Sequence, residues 1–238
     1  MKKEFIFSPN ISKYPRDTKT IKFIIIHYTG MQSEIESIKK LIDPLSKVSC
    51  HYLINKKGKI IQMVQDNRIA WHAGKSKWKK FTNLNSKSLG IELVNKGHKI
   101  RYEKFSSLQI KSLINLCKRL KKKYKIKKNN FLAHSDIAPL RKIDPGEKFP
   151  WKKLSKFNIG AWYTLINFKY HYPKKKTELK FFHNIYKIGY RYFSLKKRNK
   201  NDKKVIKAFQ MRFLPNKVSG QIDKETFNIS QYLSKNVK

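Results

Sequence analysis

The sequence predicts an α/β chain, with strands and helices mixed in one domain and a small all-helical unit after it. Three observations carry this reading. Short apolar, β-branched runs, the clearest being Lys22-Phe23-Ile24-Ile25-Ile26, are interleaved with amphipathic stretches as far as residue 154. Past residue 176 the strand-like runs stop and three short helical patterns remain. The length, 238 residues of which 39% are hydrophobic and 13% aromatic, suits one medium domain plus a small one, each with a packed core.

Residues 21–28 read as a buried strand. Glu34 to Leu45 sets Ile35, Ile38, Leu41 and Ile42 at helical spacing, and Pro44 ends that helix. Val48 to Ile54 and Lys59 to Val64 flank Asn55-Lys56-Lys57-Gly58, a hairpin signal. Ser88 to Asn95 is another short buried strand. Ser106 to Tyr124 is the clearest helix, capped by Ser106 or Ser107, with Leu108, Leu113, Ile114, Leu116, Cys117 and Leu120 as its stripe. Phe131-Leu132-Ala133-His134 is a last strand, and this domain, residues 1–154, closes at Trp151 to Leu154. Residues 155–176 are less regular and end in Pro173-Lys174-Lys175-Lys176, a linker composition. In residues 177–238, Glu178 to Phe193, Asp202 to Phe213 and Asp223 to Ser234 are helical patterns joined through Asn199, Asn201, Pro215, Asn216 and Gly220. They make a three-helix domain.

The charge is extreme: 56 Lys and Arg against 15 acidic residues, formally +41. Such a field attracts polyanions. Yet 48 of the cations are Lys and only 8 are Arg, whereas specific phosphate and base recognition favours the Arg fork. Generic anion attraction and compositional drift therefore explain the charge better than specific nucleic-acid binding. No apolar run reaches the ~20 residues of a membrane helix. Met1 to Asn10 lacks the apolar stretch of a signal peptide, which favours a cytoplasmic location. Cys50 and Cys117 have neither paired nor metal-binding spacing and read as buried free thiols.

Chemistry gathers at a few positions. His27 ends the strand Phe23-Ile24-Ile25-Ile26, and strand ends that open into clefts are where ligands sit. His134 ends its own strand in the same way, and Asp144 follows ten residues on, before Pro145-Gly146, on a turn that can fold back beside it. Two imidazoles and a carboxylate are three ligands for a catalytic zinc, with a fourth position for water. Glu92 is the only acid in the apolar strand Leu89-Gly90-Ile91-Glu92-Leu93-Val94, and burying a carboxylate needs a reason. Lys142 stands two residues before Asp144 and can share its cleft. His72 lies in the loop Ala70-Trp71-His72-Ala73-Gly74, and His51 reads as a supporting residue. His98, His171 and His183 have no supporting context.

These residues fall in ordered blocks. Ile25-Ile26-His27-Tyr28-Thr29, Val48-Ser49-Cys50-His51-Tyr52-Leu53-Ile54, Ala70-Trp71-His72-Ala73-Gly74, Ser88-Leu89-Gly90-Ile91-Glu92-Leu93, Ala133-His134-Ser135-Asp136-Ile137-Ala138-Pro139 and Arg141-Lys142-Ile143-Asp144-Pro145-Gly146 come in sequence, followed by Phe149-Pro150-Trp151. In this order they resemble the zinc-dependent N-acetylmuramoyl-L-alanine amidases of the amidase-2 type, over roughly residues 20–152. Ala208-Phe209-Gln210-Met211-Arg212-Phe213, Val218-Ser219-Gly220-Gln221-Ile222-Asp223 and Glu225-Thr226 resemble a three-helix peptidoglycan-binding domain, with Ser219 where an acid is common.

The resemblance implies a central mixed β-sheet flanked by helices and one zinc ion. It puts the ligands on His27, His134 and Asp144, the catalytic carboxylate on Glu92 and an electrophilic lysine on Lys142. The implied substrate is peptidoglycan or a muropeptide, cut between N-acetylmuramic acid, anhydro or ordinary, and L-alanine. Arg68, His72 and Asn85 are expected to touch the stem peptide or sugar. A wall-binding domain favours a periplasmic or cell-wall-associated location, against the cytoplasmic reading. Two other classes compete. A catalytically dead wall-binding module is disfavoured by the intact ligand set and Glu92; a nucleic-acid-binding protein is disfavoured by the lack of any recognised motif.

Overall fold

The computed structural model of the chain describes residues 4–164 and 177–236. In chain order they form β1 (Glu4–Phe5), β2 (Phe23–Tyr28), α1 (Glu34–Ile42), β3 (Tyr52–Ile54), β4 (Ile60–Gln62), β5 (Lys77–Trp78), β6 (Phe81–Thr82), β7 (Ser88–Leu93), α2 (Ser107–Tyr124), β8 (Phe131–Ala133), α3 (His134–Ile137), α4 (Trp151–Ser155), α5 (Thr177–Ile188), α6 (Asp202–Phe213) and α7 (Lys224–Asn236). Six strands make one sheet in the order β1-β4-β3-β7-β2-β8. β2 runs parallel to both β7 and β8, β3 runs parallel to β7, and β3 and β4 are antiparallel across the expected hairpin. The sheet is thus mixed and flanked by helices, as the sequence predicted.

Local chemistry sets the helix ends. Ser33 caps α1 by accepting from the Glu36 N–H, and the helix stops at Ile42, ahead of Pro44. Ser106 caps α2 in the same way through the Gln109 N–H. The expected helix Glu178 to Phe193 stops at Ile188, because Gly189 takes a φ of +144° and Tyr190 turns inward to full burial. The expected strand Val48 to Ile54 begins only at Tyr52. Upstream of His51 the bonds go to irregular segments: Asn10 Nδ2 donates to the Val48 carbonyl at 2.9 Å and the Ser49 N–H donates to the Trp71 carbonyl at 3.2 Å.

The sheet is buried on both faces. On one, Ile24 and Ile26 of β2, Leu89, Ile91 and Leu93 of β7 and Phe131 of β8 pack against Leu113, Ile114, Leu116, Cys117 and Leu120 of α2. On the other, Phe23, Ile25 and Leu132 join a cluster that takes in Phe181, Ile185, Phe209, Phe213 and Phe227 of the C-terminal helices. The apolar core is therefore continuous from the sheet into those helices. A Cβ on Gly189 would fall 2.4 Å from Trp78 Cε2, so the seam between them is close-packed. Of the expected linker, Ile159 and Ala161 are buried, and residues 165–176, with His171 and the Pro173 to Lys176 run, lie outside the described residues. Cys50 and Cys117 are buried free thiols, as expected.

Candidate active site

The register of β2 and β7 sets His27 directly beside Glu92. Side chains alternate along a strand, so both project on the face that carries Phe23 and Ile25, at its C-terminal edge. Gly90, two residues before Glu92, makes room on that face: a Cβ there would lie 2.4 Å from Cγ of His72. A glycine inside a strand marks such a close approach. His72 is buried in the space and its Nδ1 lies 3.1 Å from His27 Nε2. His72 Nε2 lies 3.2 Å from Ser88 Oγ, which itself donates to the Leu84 carbonyl at 2.7 Å. This network assigns the tautomers. Ser88 spends its proton on Leu84, so it accepts from His72 Nε2–H; His72 Nδ1 then accepts from His27 Nε2–H, which leaves the His27 Nδ1 lone pair bare.

The second histidine is prepared alike. His134 opens α3 at the end of β8, and its Nε2 donates to the Ala73 carbonyl at 3.2 Å, leaving Nδ1 bare. Asp144 returns to it across a turn in which the Ser135 N–H donates to the Asp144 carbonyl at 3.0 Å. Three atoms now converge: His27 Nδ1 is 2.9 Å from His134 Nδ1 and 3.0 Å from Asp144 Oδ2, and His134 Nδ1 is 3.1 Å from Asp144 Oδ2. Bare lone pairs at such spacing repel unless a cation sits among them. A tetrahedral ion with bonds of ~2.0–2.1 Å wants ligand atoms about 3.3 Å apart, close to what is found. All three side chains are buried. Burial, and next the neighbouring His134, push the His27 imidazole down to about 4, the neutral form a metal needs. Burial raises the Asp144 carboxyl, but in the metal-free cluster, where a proton shared on the imidazole side can bond it, the neighbouring His134 and His27 hold it well below its usual range. The three residues can hold a metal ion.

The cluster sits at the floor of a cleft of about 430 Å³ whose walls include Glu92, Lys142, Trp71, Lys40 and Lys96. Glu92 Oε2 is sealed from solvent and has no hydrogen-bond partner among the described residues. Burial, and next the charge of Asp144, push its carboxyl up to about 8. The side chain as a whole is part-exposed to the cleft, so its unpaired oxygen is costly to seal and, beside a cation, available for proton transfer.

Of the residues expected from the sequence, the structure gathers His27, His134, Asp144, Glu92, Lys142 and His72 around this cleft. His72, expected to reach the substrate, has both ring nitrogens engaged within the protein and stands behind His27. Arg68 and Asn85, also expected at the substrate, are turned to backbone: Arg68 Nη1 donates to the Lys13 carbonyl at 2.8 Å, and Asn85 Oδ1 accepts from the His72 and Ala73 N–H groups at 3.2 and 2.6 Å. The reason is shared: both side chains complete the hydrogen bonds of irregular loops. His51 supports the sheet, its Nδ1 accepting from the Gly90 N–H at 3.0 Å. Sequence reading missed Ser88 and Gly90 as parts of the site; the glycine within an otherwise apolar strand was their one visible signal.

A mixed sheet that presents two histidines, an aspartate and a glutamate with one unpaired oxygen to one cleft is the arrangement of an α/β hydrolase whose site can hold a metal ion. Residues 17–147, more than half of the chain, match the family described as N-acetylmuramoyl-L-alanine amidase (amidase-2), and the chain belongs to that family. It is 38% identical over 239 residues to the N-acetylmuramoyl-L-alanine amidase AmiD of Escherichia coli K12, covering 92% of this chain and 83% of that protein. The solved complex of the E. coli AmiD with anhydro-N-acetylmuramic acid-L-Ala-D-γ-Glu-L-Lys superposes with a TM-score of 0.81 at 35% identity, over 94% of this chain and 92% of that one. AmpDh3 of Pseudomonas aeruginosa gives a TM-score of 0.77 at 28% identity, over 94% of both chains.

Proposed function

We propose that this chain is a zinc-dependent amidase that hydrolyses the bond between N-acetylmuramic acid, anhydro or ordinary, and L-alanine in peptidoglycan or muropeptides. The observation that carries the reading is the convergence of His27 Nδ1, His134 Nδ1 and Asp144 Oδ2 within 3.1 Å, with Glu92 next to His27 on the adjacent strand. Family membership and the likeness to AmiD support it. His27, His134 and Asp144 would hold the zinc. Two nitrogens and one oxygen leave a fourth tetrahedral position open, the pattern of catalytic and not of structural zinc. When bound, zinc supplies a Lewis acid and makes water a nucleophile near neutral pH.

The chain's own residues do the rest. Glu92, whose Oε2 has no competing partner, takes the proton of the attacking water and delivers it to the departing amine of L-alanine. A nearby cation favours its charged form, which offsets the upward push of burial. Lys142, in the cleft wall, donates to the oxyanion as the carbonyl becomes tetrahedral. Lys40, Lys96 and Lys99 line the same cleft and give it a charge suited to the carboxylates of a stem peptide. The three C-terminal helices act as a peptidoglycan-binding unit that brings the cleft to the wall.

The test is direct. Purified protein is assayed for metal content, then incubated with sacculi and with anhydro-muropeptide, with and without a chelator. Release of free peptide with a new L-alanine N-terminus, lost to the chelator and restored by zinc, is the expected result. Cleavage that persists in a metal-free protein would exclude this mechanism.

A further inference from the structure

The C-terminal helices reach the site from behind. Asp136 lies two residues past His134 in α3 and is fully buried. Its Oδ2 accepts from the N–H of Ala133, the residue before His134, at 2.8 Å. Its two side-chain donors both come from beyond residue 176. Tyr190, just past α5, donates its hydroxyl proton to Oδ1 at 2.5 Å, and Arg212 of α6 donates from Nη1 to Oδ2. Arg212 Nη2 also donates to the Phe131 carbonyl of β8 at 2.9 Å, and the guanidinium lies 4.0 Å over the Trp151 ring. One guanidinium thus grips the strand before His134 and the carboxylate after it. The same turn carries the Ser135 N–H that bonds the Asp144 carbonyl.

We propose that Arg212 and Tyr190 are positioning residues for the metal centre, holding the His134 turn through Asp136. The C-terminal helices are then part of the scaffold of the ligand set as well as a separate binding unit. The physical ground is that a buried carboxylate does not tolerate the loss of a donor: the turn must shift or admit water. A turn that shifts carries His134 Nδ1 away from its two co-ligands. Loss of such an outer partner typically weakens metal binding about 10–100-fold. The proposal rests on the reading of His134 as a ligand.

The experiment measures zinc affinity of the full chain by competition with a chromophoric chelator, beside its unfolding midpoint in denaturant. Tyr190→Phe keeps the ring and removes one donor; it should weaken zinc binding about tenfold, and Arg212→Met towards a hundredfold. Ile229→Val, in the buried core of α7 and with no polar atom to offer Asp136, serves as the control for general loosening and should leave affinity unchanged. Wild-type affinity in Tyr190→Phe and in a folded Arg212→Met would overturn the proposal, as would an equal loss in Ile229→Val. If Arg212→Met does not fold, Tyr190→Phe decides alone. His134→Ala separates the two levels: undiminished zinc binding in that variant would instead remove the ligand assignment beneath the proposal.

Discussion

Alternate residues of the same strands build the two faces of the sheet, and the faces differ in kind. On the α2 face Ile24, Ile26, Leu89, Ile91 and Leu93 meet the apolar stripe of one amphipathic helix, which follows β7 within about fifteen residues though it lies some eighty beyond β2. On the opposite face the apolar stretch stops after Ile25, and His27 and Glu92 follow in register. That face is closed by parts far apart in sequence: the Ala70 to Gly74 loop, the His134 to Asp144 turn and the C-terminal helices. One face is held by periodic apolar packing against a single helix; the other holds a polar cluster partnered by several separate segments. A polar group buried without partners is destabilising, so the second face pairs the outer nitrogens of His27, His72 and His134 within the protein and leaves His27 Nδ1, His134 Nδ1 and Glu92 Oε2 facing one another across the site.

Substitutions should separate the faces. The largest effect belongs to Glu92→Gln, expected to lower kcat by about 10²–10⁴ while zinc stays bound and the unfolding midpoint does not fall. Metal analysis beside the rate assay checks both halves; retained activity would remove Glu92 from proton transfer. Lys142→Ala should cost about 10²–10³ in kcat with zinc affinity near wild type. An equal loss of zinc binding would move Lys142 from the oxyanion to the ligand scaffold.

A pH titration of stability in the metal-free protein gives the next effect. With its folded carboxyl at about 8 against an ordinary 4.5, Glu92 binds more protons folded than unfolded, so its contribution falls as pH rises across that range. His27, at about 4, and His51, at about 3, bind fewer protons folded than unfolded, so their contribution rises with pH until the ordinary histidine value of 6.5 is passed. His72, also held low by burial, adds to that rise. Between about pH 7 and 8 the histidine contributions fade and the Glu92 fall, about 1 kcal/mol, outweighs what remains of them in denaturant unfolding. Glu92→Gln should flatten that slope, and a slope that survives the substitution has another source. The smallest effect is on the α2 face. Ile24→Val should lower stability by about 0.5–1.5 kcal/mol and leave kcat unchanged. A change in rate there would mean that the faces are coupled through the sheet.

How much was legible follows from range. Ser106, the α2 stripe from Leu113 to Leu120, the isoleucines of β2 and the hairpin at Asn55 to Gly58 are local signals, and the structure keeps them; Leu108, expected in that stripe, is exposed in the helix's first turn. The cluster of His27, His134 and Asp144 and the place of Glu92 were legible because both histidines fall at strand ends, Asp144 follows on a turn, and Glu92 interrupts an apolar strand. The two-residue strands β1, β5 and β6 were invisible, since two residues carry no period. Arg68 and Asn85 bond loop backbone and do not line the cleft, because nothing in a loop sequence says whether a polar side chain faces a cleft or its own backbone. His72 was placed at the right cleft but in the wrong layer, for its depth is set by the missing Cβ of Gly90 on a strand eighteen residues away.

By itself the chain's order of residues determined the periodic elements, the mixed α/β class and the inventory of groups able to bind a cation, because hydrophobic alternation and donor chemistry are written within a few positions of each residue. Tertiary structure alone decided that His27 and Glu92 stand side by side, that His72 and Ser88 set a tautomer, and that Arg212 and Tyr190 meet Asp136 behind the site. Those are matters of strand register and of packing between segments tens of residues apart. They are fixed by the free energy of the whole core, and no local pattern records it.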